Sequence, residues 1–158
     1  MLRWLECQWR MEIAPSLPGN YATTCLFVGW IPRIGLWAGG LGDGMILVRE
    51  HGKPVRRLFG RNEEFALNET NALGCDHRLS DWITVRLLPR GPWAAILMTD
   101  GVADDLRPER LSEFSDWLVT DVALRKPTTR RRMLQDALVN WPTPGNSDDK
   151  TIAVLFCP

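Results

Sequence analysis

The sequence predicts an α+β fold of one domain over residues 1–158, with antiparallel strands in the first part and helices gathered in the last third. Three observations predict it. Four short apolar runs follow one another between residues 23 and 59, separated by Gly and Pro, as in an antiparallel meander. Apolar residues recur at helical spacing between Pro108 and Trp141. The chain then closes on one more apolar run, Thr151 to Cys157. With 158 residues, 45% apolar and 24% charged, wholesale disorder is excluded, and one buried core suffices at this length.

The elements follow in order. Trp4, Leu5, Cys7, Trp9, Met11 and Ile13 partly alternate, which predicts a strand; Pro15, Pro18, Gly19 and Asn20 then make a turn. Strands are expected over Thr23–Ile31, Ile34–Leu41, Met45–Glu50 and Val55–Phe59, with His51-Gly52-Lys53-Pro54 as a turn. Residues 60–80 read as a long polar connection holding a short helix. Trp82–Leu88 alternates like a strand, Pro89–Pro92 is a turn, and Trp93–Thr99 is apolar enough for a fully buried strand. A helix starting at Pro108 puts Leu111, Phe114, Leu118 and Val122 on one stripe, with Glu109 and Glu113 early and Arg125 and Lys126 late, in the sense the helix dipole favours. Pro127 stops it. Thr128 or Thr129 is expected to cap a second helix with Met133, Leu134, Ala137, Leu138 and Trp141 inward, ended by Pro142–Gly145. Thr151–Cys157 reads as a last buried strand.

Charge and composition narrow the function. Lys and Arg number 19, as do Asp and Glu, so no broad field draws the chain to nucleic acid or to an anionic membrane. Neither is expected as a partner. No apolar run approaches the length of a membrane span, and Glu6 and Arg10 interrupt the N-terminus before a signal-peptide core could form, so a cytoplasmic protein is expected. The four cysteines are not spaced as metal ligands, only His51 and His77 accompany them, and reduced, buried thiols are expected. Arg130-Arg131-Arg132 reads as a solvated helix face, and the eight tryptophans as packing residues. The Gly39-Gly40-x-Gly42-x-Gly44 stretch lacks the helix and Lys-Ser/Thr of a phosphate-cradling loop and reads as a strand bend or tight turn.

The chemistry-bearing candidates are carboxylates at strand ends. Asp43 lies in Gly42-Asp43-Gly44 between two strands. Asp100 follows the strand Ala94–Thr99 and precedes Gly101, Asp104 comes four residues on, and Asp148-Asp149 stand just before Thr151–Phe156. A carboxylate just past a buried strand is rigidly aimed, and a neighbouring Gly lets another backbone or a ligand approach. Several such groups cannot converge uncompensated, because like charges repel in a low dielectric; hard cations with all-oxygen ligation, magnesium or manganese, are the usual compensation. Each Asp-Gly pair taken singly is also an ordinary turn.

Four motifs occur in order: Tyr21-Ala22-Thr23-Thr24, Leu41-Gly42-Asp43-Gly44, Met98-Thr99-Asp100-Gly101-Val102-Ala103-Asp104, and Ser147-Asp148-Asp149-Lys150-Thr151-Ile152-Ala153-Val154. In these, residues 21–158 resemble the C-terminal two-thirds of the metal-dependent protein phosphatase family, type 2C, leaving 1–20 as a poorly matched N-terminal segment. The resemblance implies an αββα four-layer sandwich of two antiparallel sheets flanked by helices, incomplete on its N-terminal side. It implies serine/threonine phosphatase activity on a phosphorylated protein, with Mn2+ or Mg2+ (two or three ions) activating a water for in-line attack on phosphorus. By motif match Asp100 and Asp148 would be ligands of the binuclear centre, with Asp149 beside them. Asp43 and Asp104 would serve a further, weaker metal site, and Thr24, Gly42, Gly44 and Gly101 would be structural residues near the site. The family's N-terminal Arg-bearing strand and Asp-Gly-x-Gly-Gly loop have no counterpart before Tyr21. The chain is therefore read as a fragment or as a member that no longer turns over phosphate, and in the second case as a partner- or phosphopeptide-binding module. A sandwich missing strands exposes sheet edges, so a second chain is expected to cover them.

Overall fold

The structure is a computed structural model; it describes residues 1–60, 71–141, 143 and 147–157. Among the described residues, seven strands form two antiparallel sheets. The first holds β1 (Cys25–Ile31), β2 (Gly35–Leu41) and β5 (Ile83–Leu87) in the order β1-β2-β5. The second holds β3 (Met45–Glu50), β4 (Arg56–Phe59), β6 (Trp93–Met98) and β7 (Ile152–Cys157) in the order β4-β3-β6-β7. Consecutive strands β2 and β3 thus belong to different sheets, so the expected meander is broken. The break falls at Gly42-Asp43-Gly44. Gly42 and Gly44 have φ of 101° and 95°, a region closed to most L side chains, and this lets the chain leave one sheet and enter the other within three residues.

Period-two alternation sorts each strand's side chains between faces. Val28, Leu36 and Ala38 of the first sheet meet Ile46, Val48, Trp93 and Ala95 of the second in the interior between them. On the outer face of the second sheet, Met45, Leu47, Ile96 and Met98 pack against the helices of the last third. These are a short α2 (Asp100–Ala103), α3 (Leu111–Asp116) continuing as a π-helix (Trp117–Val122), and α4 (Pro127–Val139). The stripe Leu111, Phe114, Leu118 and Val122 points into this cluster, as do Met133, Leu134, Leu138 and Trp141.

Four local expectations are corrected. The first segment is a helix, α1 (Leu2–Ile13), not a strand. Its residues Leu2, Leu5 and Trp9 fall at i, i+3 and i+7 and dock on Leu41, Leu73 and Trp82, outside the first sheet; a face offered by tertiary contact selects the helical period over the alternating one. Second, α4 begins at Pro127, with Lys126 at the N-cap, because proline's preset φ and missing N–H suit a first helical position; neither Thr128 nor Thr129 is the cap. Third, among the described residues β7 is an edge strand with no fully buried residue: Ile152, Val154 and Cys157 are half-buried, and Leu155 and Phe156 are exposed. Fourth, all four cysteines are free, but Cys7 and Cys75 are exposed.

Among the described residues the layers run α1, first sheet, second sheet, α2–α4, the expected four-layer arrangement. The expected ending of α4 at Pro142–Gly145 and much of the 60–80 connection fall outside the described residues, although a 3-10 turn is present at Leu79–Asp81. Trp82 and Trp93 are core residues, whereas Trp4 and Trp30 are exposed. Among the described residues no helix is long and apolar enough to cross a membrane.

Candidate functional site

The strand registers bring the candidate aspartates to one end of the second sheet. Met45 pairs with Met98, and Met98 with Ile152, so the chain entering β3, leaving β6 and entering β7 does so at the same edge. Asp43, Asp100 and Asp148-Asp149 lie two to four residues beyond those paired positions. Asp43 and Asp100 are partly buried, while Asp104, Asp148 and Asp149 are exposed.

Thr99 is the joint of this end. Its backbone N–H donates to the Thr151 carbonyl at 3.1 Å, its hydroxyl donates to the Asp149 carbonyl at 3.0 Å, and that same hydroxyl oxygen accepts from the Thr151 N–H at 2.9 Å. The Asp100 turn and the Asp148-Asp149 turn are therefore tied through one side chain. Sequence reasoning passed over Thr99; a hydroxyl between a buried strand and Asp-Gly was the available signal.

Gly101 allows the close approach. A Cβ at this residue would stand 2.6 Å from the Asp149 carbonyl oxygen and 3.2 Å from the Asp148 Cβ. The Asp100 carboxylate accepts from the Gly101 N–H at 2.9 Å, and that of Asp148 from the Asp149 N–H at 3.2 Å, so each is oriented by the backbone that follows it. Gly44 seats the third turn, since its Cβ would lie 2.7 Å from the Met98 carbonyl and 3.6 Å from Thr99 Cα. Gly42 is covered by Thr24, whose methyl group would be 2.4 Å from a Cβ there. Asp104 lies just past α2, its N–H bonded to the Asp100 carbonyl at 2.9 Å.

The donor set decides what this end can hold. Among the described residues no group of three His, Cys, Asp or Glu side chains comes together as a metal-holding cluster. Magnesium and manganese need fewer protein ligands than zinc: a hard octahedral ion often takes one or two carboxylates and fills its remaining positions with water or phosphate oxygens. The linked Asp100 and Asp148-Asp149 turns suit one such ion. A pair of tightly held ions does not fit the described carboxylates alone.

A second polar cluster escaped the sequence reading. Glu6 of α1 accepts from the Trp82 indole N–H at 2.8 Å and faces His77 Nε2 at 3.1 Å, while the other ring nitrogen of His77 faces the Cys75 carbonyl at 3.0 Å. Both ring nitrogens thus face acceptors, an arrangement the doubly protonated ring satisfies best. Burial opposes charge on His77, but the Glu6 and Cys75 hydrogen bonds and the fields of Glu6 and Asp81 outweigh it and raise its pKa. Burial likewise works against the Glu6 carboxylate, and its bonds to His77 and Trp82, with the nearby charges of His77 and Arg10, more than compensate and lower its pKa. The pair pins α1 to the connection before β5. At Cys25, burial raises the thiol's pKa, which disfavours the thiolate.

The family model for Protein phosphatase 2C matches residues 1–141. The chain belongs to the protein phosphatase 2C family. The match takes in α1, which the motifs had left outside the resemblance, and stops before Asp148. Among solved structures, the catalytic domain of the serine/threonine protein phosphatase PstP, described in complex with two manganese ions, is similar at a TM-score of 0.55 and 17% identity. That likeness covers 85% of this chain but only 58% of the PstP chain, and at this identity it speaks for the fold. No curated protein matches the chain.

Proposed function

We propose that this phosphatase 2C chain takes part in metal-dependent hydrolysis of phosphoserine or phosphothreonine in proteins, with Asp100 and Asp148 as ligands and Asp149, Asp43 and Asp104 as neighbouring acids. The observation that carries this reading is the Thr99 joint, which ties the Asp100 turn to the Asp148-Asp149 turn at one sheet end. Mn2+ or Mg2+ would supply an activated water and stabilise charge on the transferring phosphoryl group. The chain's own contribution is to aim two carboxylates from rigid strand ends and to hold them at a fixed separation. A phosphorylated protein is the substrate class and the cytoplasm the setting in this reading.

The test is hydrolysis of p-nitrophenyl phosphate and of a phosphothreonine peptide with and without Mn2+, in the parent and in Asp100→Asn and Asp148→Asn. Turnover that needs Mn2+ and falls at least tenfold in each variant supports the proposal. Turnover unaffected by both substitutions refutes the ligand assignment.

The lack of a three-acid cluster among the described residues favours a second reading, a module that binds a phosphopeptide or partner without turnover. It predicts no Mn2+-dependent hydrolysis and no measurable Mn2+ binding by calorimetry, together with retained binding of the phosphothreonine peptide.

A further inference from the structure

The sheet edges differ in how they are guarded against pairing. In the second sheet, the β4 edge carries the exposed Arg56 and Arg57 and a register shift against β3 between Ile46 and Leu47. In the first sheet, the β5 edge carries the exposed Arg86. Charges and bulges of this kind keep an open strand from joining another chain. The remaining edges, β1 and β7, contain no charged residue and no proline. Trp30 and Ile31 of β1 and Leu155 and Phe156 of β7 are nonetheless exposed.

The two unguarded edges lie on the same side of the sandwich. β1 stands over β6: the Trp30 and Trp93 rings are 5.3 Å apart, and Val28 packs against the cluster of Trp93 and Ala95. β7 lies one strand farther out in the second sheet. Directly paired residues of antiparallel strands share a face, so Ala153 and Leu155, opposite Leu97 and Ala95, belong to the face between the sheets. Ala95 is buried there, whereas Ala153 and Leu155 are exposed. The first sheet therefore ends one strand short of the second and leaves a step: the open main chain of β1 beside an apolar inner face of β7.

That step fits a copy of itself. A two-fold axis along the strand direction sets β7 of each copy beside β1 of the other, which is an isologous and closed arrangement. Both sheets then continue across the boundary, and the two Leu155 side chains face each other between them. Both strands leave the acidic end, since Cys25 pairs with Leu41 just before Asp43 and Ile152 follows Asp148-Asp149, so the new pairs are parallel. The unpaired N–H and C=O groups of both edges gain partners. The chain has no formal net charge, so no overall repulsion opposes the approach.

We propose that this side of the sandwich is an interface for a second copy of the chain, formed by mutual addition of β7 to β1. Seven residues of β1 and six of β7 fall below the roughly 20–30 a side of a standard interface, so association belongs at micromolar rather than nanomolar concentration. The proposal uses no residue of the acidic turns and stands or falls independently of the phosphatase reading.

Sedimentation equilibrium of the whole chain, between about 1 and 100 μM, tests it. The mass should rise reversibly from 18.0 kDa toward twice that value and go no higher. Leu155→Lys should weaken association at least about tenfold with an unchanged far-UV spectrum, because the two lysines would face each other. Ala153→Lys, at an exposed residue of the same face, gives the same readout should Leu155→Lys not fold. Mixing Leu155→Lys with Leu155→Glu should restore the dimer. Ile83→Lys, at an exposed residue of the guarded β5 edge, should leave association unchanged. A monomer throughout the range, growth beyond the dimer, undiminished association in a folded Leu155→Lys or Ala153→Lys protein, no recovery in the mixture, or an equal loss from Ile83→Lys would each overturn the proposal.

Discussion

The two sheets share a core but not a degree of cover. In the second sheet, β3 and β6 are buried at every position but one, because α2–α4 and the π-helix close its outer face and the first sheet closes its inner one. In the first sheet only β2 is comparably buried; β1 has no fully buried residue and β5 is mostly open. Among the described residues its outer face carries the helix α1 over one end. The difference teaches that strand sequence alone does not set burial: β1 is as apolar as β6, and what lies on its second face decides.

The largest test of the contrast is a cavity in each sheet. Ile96→Ala removes a fully buried side chain between β3 and β7 and should cost about 3 kcal/mol in urea unfolding. Ile83→Ala in β5, where the side chain is 52% exposed, should cost under about 1 kcal/mol. Equal costs would break the comparison.

Next is the acidic end of the second sheet. Gly101→Ala places a methyl group 2.6 Å from the Asp149 carbonyl, so the two turns must part. A loss of roughly 2 kcal/mol is expected, together with loss of whatever Mn2+-dependent turnover the parent shows. Gly52→Ala, whose added methyl meets nothing within 4 Å although φ is 71°, is the control; it should cost about 1 kcal/mol and leave turnover alone.

The cover of the first sheet is tested by pH. His77, with a raised pKa, contributes stability that is complete below its ordinary value of 6.5 and is lost as pH rises through its folded value. Glu6, with a lowered pKa, contributes stability that is present above its ordinary value of 4.5 and is lost as pH falls through its folded value. Docking of α1 should therefore be strongest between those ordinary values and loosen as pH rises through the folded value of His77. Amide exchange in α1, followed from between those values upward through the folded value of His77, should show the loosening, worth about 1 kcal/mol, and His77→Gln should flatten it. Exchange in α4 should not follow the same profile. The smallest effect expected is at the exposed Arg132–Asp136 pair of α4, where Arg132→Ala should change the unfolding free energy by less than about 0.5 kcal/mol.

Much of the second sheet was legible in the sequence because its signals are local. An apolar run such as Trp93–Met98, set off by Pro89–Pro92, reads as a buried strand, and the Asp-Gly pair after it marks the strand's end, where the structure starts the short helix α2. The stripe from Leu111 to Val122 likewise declares a helix. The candidate site was legible as separate acidic tips, since each sits in its own strand-end context. Their joining was not, because Thr99 acts through Thr151 and Asp149, some fifty residues away. The same distance hides the bond between Glu6 and His77, seventy-one residues apart.

By itself, then, the sequence determined the strands of the buried sheet, the helices over it, the family and the acidic strand ends, all of which are written within windows of a few residues. Tertiary structure alone decided that α1 is a helix, that β2 and β3 part into different sheets, and that Thr99 links two acidic turns. Each of those outcomes depends on a surface or a partner supplied by a remote part of the chain, and local alternation or spacing carries no record of it.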